Sequence, residues 1–247
     1  MQRLADILEK TLDIESILQM AEGAKEMEDD MPKSLKQLFA DPHVQKIRTQ
    51  RPQIAVAKDE AFCFLYEDNL KLLEELGAEI TFFSPLHNAK VPENADGLLL
   101  PGGYPELFAR QLHRRKRLME QLREYVEKGG KLLAEGGGIA LLGQTLTARP
   151  GGTAYEMAGF LPYSVIVKDN RPCSGYRQTH YRDLCLKGYE YRYFDILPTE
   201  KAVSLQTPVC NLKGGEVSGS FFFRYKNCFA TTVHHYWGET GLYELWE

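Results

Sequence analysis

Lys131-Leu132-Leu133-Ala134-Glu135-Gly136-Gly137-Gly138-Ile139-Ala140-Leu141-Leu142 is a short apolar run, three glycines and a second apolar run. It reads as a buried strand turning sharply into a helix that begins around Gly137, the organisation of a nucleophile elbow. The elbow position holds Gly136, which has no side chain to attack a carbonyl. Upstream, residues 53–57, 79–83 and 96–100 are further strand candidates, residues 66–76 have helical spacing with a stop at Gly77, and residues 113–128 form a basic helix. Strands separated by helices of this length predict a parallel sheet covered on both faces, with ligands bound at the carboxyl ends of its strands. Beyond Pro150 the texture is aromatic and glycine-rich, and residues 189–194, 221–225 and 228–233 are predicted as strands added antiparallel to the sheet.

Residues 51–247 read as one domain. Residues 1–50 read as a helical appendage or connector, with apolar side chains from Leu4 to Ala21 at three- and four-residue intervals. The pattern divides near Asp13, is ended by Asp29, Asp30 and Pro32, and is followed by a short helix near 34–39. These helices would cover an edge or mediate association, including homo-oligomerisation. The length of 247 residues suits one main domain with an appendage.

The 34 acidic and 30 basic side chains give a net charge of -4, which argues against a generally basic nucleic-acid surface. No apolar stretch is long enough for a transmembrane helix, and the first residues carry no signal-peptide core, so a cytoplasmic protein with no membrane partner is expected. The five cysteines, Cys63, Cys173, Cys185, Cys210 and Cys228, are never spaced Cys-x-x-Cys and read as reduced thiols rather than a zinc site. The run from His113 to Arg117 reads as a solvated face, or more sharply as a surface for a carboxylate-rich ligand.

Two glycine clusters follow strands, Pro101-Gly102-Gly103-Tyr104-Pro105-Glu106 and Gly136-Gly137-Gly138. Such turns expose backbone amides that can bind an anion or oxyanion, or they are simply tight turns. Neither carries the Gly-Lys-Ser or Gly-Lys-Thr of a P-loop, so the chain has no ATP motif. His234 and His235, after the last strand, offer a general base or a structural imidazole; two histidines alone are weak support for a metal.

Several motifs in order carry a resemblance. Residues 54–66, with Asn69-Leu70 and Phe83-Ser84-Pro85-Leu86, resemble the start of the glutamine amidotransferase domain of cobyrinate a,c-diamide synthase. Leu100 to Leu107 resembles the family's Gly-Gly-Tyr-Pro-Glu signature, Glu135-Gly136-Gly137-Gly138 stands where it has Glu-Cys-Gly-Gly, Gly175-Tyr176-Arg177 matches its Gly-Tyr-Arg, and Ala230 to His234 matches the strand ending in its catalytic histidine. The resemblance covers about residues 51–237 and implies a class I glutamine amidotransferase-like, flavodoxin-like α/β fold. That is a mostly parallel sheet flanked by helices, with antiparallel additions. It also implies that residues 1–50 are the tail of a synthetase domain whose nucleotide-binding half lies elsewhere.

In such a family, glutamine is hydrolysed at the cysteine elbow, and ammonia passes to a synthetase that uses ATP to amidate corrinoid side-chain carboxylates. By resemblance, Gly136 holds the nucleophile position, His234 the general-base position, and Gly103 and Gly137 the oxyanion amides. Glu135, Tyr104 and Glu106 are candidates for orienting a polar ligand, glutamine or a related small molecule. No cofactor or metal is expected on this chain; ATP and magnesium belong to the synthetase domain or subunit. Besides Gly136, the family's Gly-His-Glu-Phe-His-Tyr becomes Gly188-Tyr189-Glu190-Tyr191-Arg192-Tyr193, and its His-Leu-His-Phe becomes His234-His235-Tyr236-Trp237. Rescue by the thiol of Cys63 is disfavoured, because the family's run contains that cysteine and does not use it. The expectation is a chain without normal glutaminase activity, or alternatively a non-catalytic binding or regulatory module on the same fold.

Overall fold

The computed structural model describes residues 2–24, 33–87, 90–168, 171–199, 206–238 and 242–246. The chain divides into two compact units, residues 1–33 and 34–247. The first contains α1 (Gln2–Thr11) and α2 (Ile14–Glu22), the two pieces expected. Asp13 caps α2, its carboxylate accepting from the Ser16 N–H at 3.0 Å and from the Ser16 hydroxyl at 2.8 Å. No residue of either helix is buried. The stop expected at Asp29, Asp30 and Pro32 lies outside the described residues.

The second unit begins within α3 (Lys33–Ala40), at residue 34, and continues with α4 (Pro42–Gln50), β1 (Gln53–Ala57), α5 (Glu67–Glu75), β2 (Glu79–Phe83) and β3 (Gly97–Leu100). The compact unit therefore starts before residue 51, because Leu38 and Val44 are buried in one core with Ile54, Leu72 and Leu76. Next come α6 (Ala109–His113), α7 (Lys116–Glu127) and β4 (Lys131–Glu135), so the basic helix expected over 113–128 is broken at Arg114 and Arg115. The segment after the glycine apex is a 3-10 turn over Gly136–Leu141 rather than an α-helix. It is too short to propagate, since three of its six residues are glycine.

The remaining elements are β5 (Thr145–Thr147), β6 (Ala154–Glu156), β7 (Tyr163–Val167), β8 (Cys173–Tyr181), β9 (Leu184–Arg192), β10 (Phe194–Pro198), β11 (Gln206–Cys210), β12 (Glu216–Tyr225), β13 (Cys228–Thr231), β14 (Val233–His235) and α8 (Leu242–Leu245). Among the described residues, ten strands form one sheet in the order β14-β9-β8-β11-β12-β13-β4-β3-β1-β2. The half from β2 to β13 is parallel, and β12, β11, β8, β9 and β14 extend it antiparallel. A separate four-stranded sheet, β10-β7-β5-β6, was not legible in the sequence.

The parallel strands are apolar throughout because both faces are covered. Ile54, Val56, Leu99 and Leu133 point into a core shared with Leu72, Leu73 and Leu76. Their neighbours Ala55, Ala57, Leu98, Leu100, Leu132 and Ala134 pack on the opposite side with Leu118, Met119, Leu122 and Val126 of α7. The order β4, β3, β1 brings the turns after β3 and β4 to the same end of the sheet.

The antiparallel half is held by a buried charge cluster. Glu190 is fully buried and accepts from Arg177 Nε at 2.7 Å, Arg192 Nε at 2.9 Å and the Ser220 hydroxyl at 2.7 Å. Burial alone would raise its carboxyl, but the hydrogen bonds from Ser220 and Thr232 and the Arg192 guanidinium outweigh it and hold the pKa below the usual value. Arg192 also donates to the Gly219 carbonyl at 2.7 Å, and Arg177 to the Ser174 carbonyl at 3.3 Å. Glu190→Gln would leave the buried Arg177 guanidinium without its counter-charge and Arg192 with only the partly exposed Asp195 carboxylate, with an expected loss of about 3–5 kcal/mol in urea unfolding. A loss under about 1 kcal/mol would show that the cluster is solvated and not structural.

Candidate functional site

Gly136 leaves β4 with φ of +49°, the left-handed conformation a sharp elbow requires and one that glycine adopts without steric cost. The imidazole of His234, on β14, lies directly against it. An ideal Cβ at position 136 would stand 2.2 Å from His234 Cε1 and 2.5 Å from Nε2. On the other side, a Cβ at Gly102 would stand 2.0 Å from the same Cε1. The ring fills the space between two glycines and packs on the Phe64 ring at 4.4 Å between centroids.

Burial pushes the His234 pKa down to about 4, outweighing the attraction of the Glu135 carboxylate, so the ring is neutral at pH 7. Glu135 itself is bound to the neighbouring residue, accepting from His235 N–H at 3.1 Å and lying 3.0 Å from His235 Nδ1. His235 Nε2 is buried with no hydrogen-bond partner among the described residues. Tyr236, two positions after His234, is 47% exposed. The segment is clamped by Asn69 of α5, whose amide donates to the His235 carbonyl at 2.7 Å and accepts from Trp237 N–H at 2.9 Å.

The two glycine turns meet. A Cβ on Gly137 would lie 2.6 Å from the Gly103 carbonyl oxygen, and the Tyr104 N–H donates to the Ala61 carbonyl at 2.9 Å. Gly103, Gly137, Glu135, Gly136 and His234 are thus brought together at the carboxyl ends of β3 and β4. Tyr104 is 42% exposed and lies near Tyr191, whose pKa it helps to raise after the larger effects of the Tyr193 hydrogen bond and desolvation. Glu106 sits in the 3-10 turn Pro105–Phe108, where burial raises its carboxyl; no contact joins it to Gly136 or His234 among the described residues. Cys63 is exposed, and no contact places its thiol on His234; the neighbouring Phe64 covers the ring instead.

Phe64, Asn69 and the pairing of His235 with Glu135 were not assigned roles from the sequence. The one available signal was Asn69, a polar residue on the helical stripe that also carries Leu72, Leu73 and Leu76. A cavity of about 30 Å³ lined by Tyr66, Asn69, Glu135, His234 and Trp237 has room for about one water. No described group of three or more His, Cys, Asp or Glu side chains could hold a metal ion. The site therefore offers backbone amides and a neutral imidazole, with no nucleophilic side chain in contact with that imidazole among the described residues.

Two expectations follow from the ring's position. Gly136→Ala forces a Cβ into the imidazole at a positive φ, with an expected cost of about 2–4 kcal/mol. In a His234→Ala background the cost should fall to about 1 kcal/mol, and strictly additive effects would contradict the contact. Because the fold accommodates the neutral ring, the unfolded chain takes up this proton first, and stability is lost as pH falls from 6.5 to about 4. Unfolding curves of the wild type and His234→Gln should diverge across that window by about 3 kcal/mol, and parallel pH profiles would contradict the buried neutral ring.

A model of the CobB/CobQ-like glutamine amidotransferase domain matches residues 53–241. The cobyrinate a,c-diamide synthase of Priestia megaterium is 32% identical over 99% of this chain and 52% of its own length. That of Methanosarcina barkeri is 33% identical over 90% and 48%, and the hydrogenobyrinate a,c-diamide synthase of a Sinorhizobium species is 34% identical over 75% and 46%. The chain spans about half the length of the curated relatives it matches. Among solved structures, PurLQS from Thermotoga maritima superposes with a TM-score of 0.52 at 13% identity, covering 74% of this chain and 87% of that one. A crystal structure of a glutamine amidotransferase gives 0.51 at 17% identity, covering 73% and 89%. These two likenesses support the class I amidotransferase-like fold. Among the described residues no helix is long and apolar enough to cross a membrane. With its elbow, its paired glycine turns and a family match over most of its length, the chain belongs to the CobB/CobQ-like glutamine amidotransferase domain family.

Proposed function

We propose that this chain is an amidotransferase-type domain that keeps the backbone of the glutamine site and does not hydrolyse glutamine. One observation carries the reading: the apex that must present a nucleophile is Gly136, and the His234 ring lies 2.2 Å from where a side chain would begin. Hydrolysis through a covalent intermediate needs a thiolate to attack the carboxamide carbon and a base to take the thiol proton. Here the attacking atom is missing, and the neutral imidazole is wedged between Gly102 and Gly136 rather than aimed at a thiol.

What remains suits binding. The amides of Gly103 and Gly137 would hold a carbonyl oxygen, with Tyr104, Glu106 and Glu135 as candidates for orienting the polar end of glutamine or a related small molecule. By analogy with relatives named as cobyrinate and hydrogenobyrinate a,c-diamide synthases, the partner is a synthetase domain or subunit. That partner would use ATP and magnesium to amidate corrinoid carboxylates.

Ammonia release from glutamine tests the reading. The wild-type chain is expected to give none above buffer. Gly136→Cys alone is expected to give little, because the new thiol-bearing carbon and the His234 ring claim the same space. Steady ammonia release from the wild-type chain would overturn the proposal.

A further inference from the structure

Lys116, Met119, Glu120 and Arg123 fall at i, i+3, i+4 and i+7 on α7 and therefore share one face of that helix. They line an open cavity of about 350 Å³, closed on its other side by Gln144, Glu156, Met157 and Gly159. The volume is in the range of small-molecule sites, whereas the cavity beside His234 holds about one water.

The polar groups are held in place by the chain around them. Gln144 Nε2 spends both hydrogens on the carbonyls of Gly159, at 2.7 Å, and Leu161, at 2.9 Å. Its Oε1 is thereby fixed as an acceptor, 3.6 Å from where a Cβ on Gly159 would stand. Arg123 donates from Nε to the Ala158 carbonyl at 3.1 Å and from Nη2 to the same oxygen, which leaves Nη1 without a hydrogen bond among the described residues, although the guanidinium charge is felt by the Glu127 carboxylate. Lys116 pairs with Glu156 at 3.0 Å and keeps spare donor capacity, while the Glu120 carboxylate has no partner among the described residues. Cations at 116 and 123 and carboxylates at 120 and 156 thus face one space, together with an immobilised acceptor.

We propose that this cavity between α7 and the 157–161 loop is a binding site for a free α-amino acid. The ligand carboxylate would meet Arg123 Nη1 and Lys116, and its ammonium would meet Glu120 and Gln144 Oε1. The balance of two cations against two carboxylates favours a zwitterion over an anion or a cation. Gly159, at φ of +67°, has Arg123 Nη2 at 3.4 Å and Gln144 Oε1 at 3.6 Å from where its Cβ would stand, so the backbone there runs directly beside the two polar groups the ligand would meet. The loop that shapes the cavity is bonded to the end of the elbow turn, Ala158 N–H to the Leu141 carbonyl at 2.9 Å and Leu161 N–H to the Leu142 carbonyl at 3.0 Å. The site is separate from the His234 centre and does not depend on the function proposed above.

The test titrates L-serine and L-glutamate into the ¹⁵N-labelled full chain, with propionate and propylamine as probes that each lack one charge. The expected result is saturable shifts at Gly159, the Gln144 side-chain amide and Arg123 Nε, with a dissociation constant of about 1 mM. Lys116→Met and Glu120→Gln, both surface substitutions, should each weaken binding about tenfold. Equal binding of propionate or propylamine, shifts confined to the Gly102 and Gly136 turns, or no saturable shift would overturn the proposal.

Discussion

At the carboxyl end of β4 the chain reverses direction through a left-handed glycine, and the void left by the missing side chain is occupied by an imidazole. Close packing does not tolerate both a Cβ at 136 and the His234 ring where it stands. The same ring abuts Gly102, so its position depends on two glycines in two separate turns. Its desolvation and its lowered pKa follow from that enclosure.

Much of the remaining structure fixes β14 so that the enclosure is well defined. Asn69 reaches from α5 to hold the backbone on either side of Tyr236, and Glu135 binds both the ring and the backbone of His235. Pairing with β9 sets His234 opposite Tyr189, and the adjacent Glu190 lies opposite Val233 of β14 on one side and Gly175 of β8 on the other. The Arg177–Glu190–Arg192 cluster anchors β9 from beneath. Tyr189 and Arg192, the two positions at which the resemblance places histidines, thus lie on the strand that pairs with His234. Arg192 converts one of those positions into a saturated, buried ion pair with no spare donor role evident at the elbow.

The parallel half of the sheet was legible because its strands are short, continuously apolar and separated by helices with clear stripes. The elbow was legible because three glycines directly follow such a strand. The break between α6 and α7 was hidden by strong helix formers running through Arg114 and Arg115, where tertiary packing overrides propensity. The sheet β10-β7-β5-β6 escaped notice because β5 and β6 are three residues each, too short to establish alternation. In the site, sequence could name Gly136 and His234 but not their contact, since the two are joined only by the sheet order. The pairing of Glu135 with His235 rather than His234 was equally invisible, because both histidines follow the same strand.

The contact between Gly136 and the His234 ring is the claim on which the account rests, and nuclear Overhauser spectroscopy of the selectively labelled chain reads it directly. A strong cross-peak between the Gly136 Hα protons and His234 Hε1 is the predicted result. Its absence, with His234 Hε1 instead showing contacts to solvent-exposed groups, would mean that the ring does not fill the vacancy and would contradict the account.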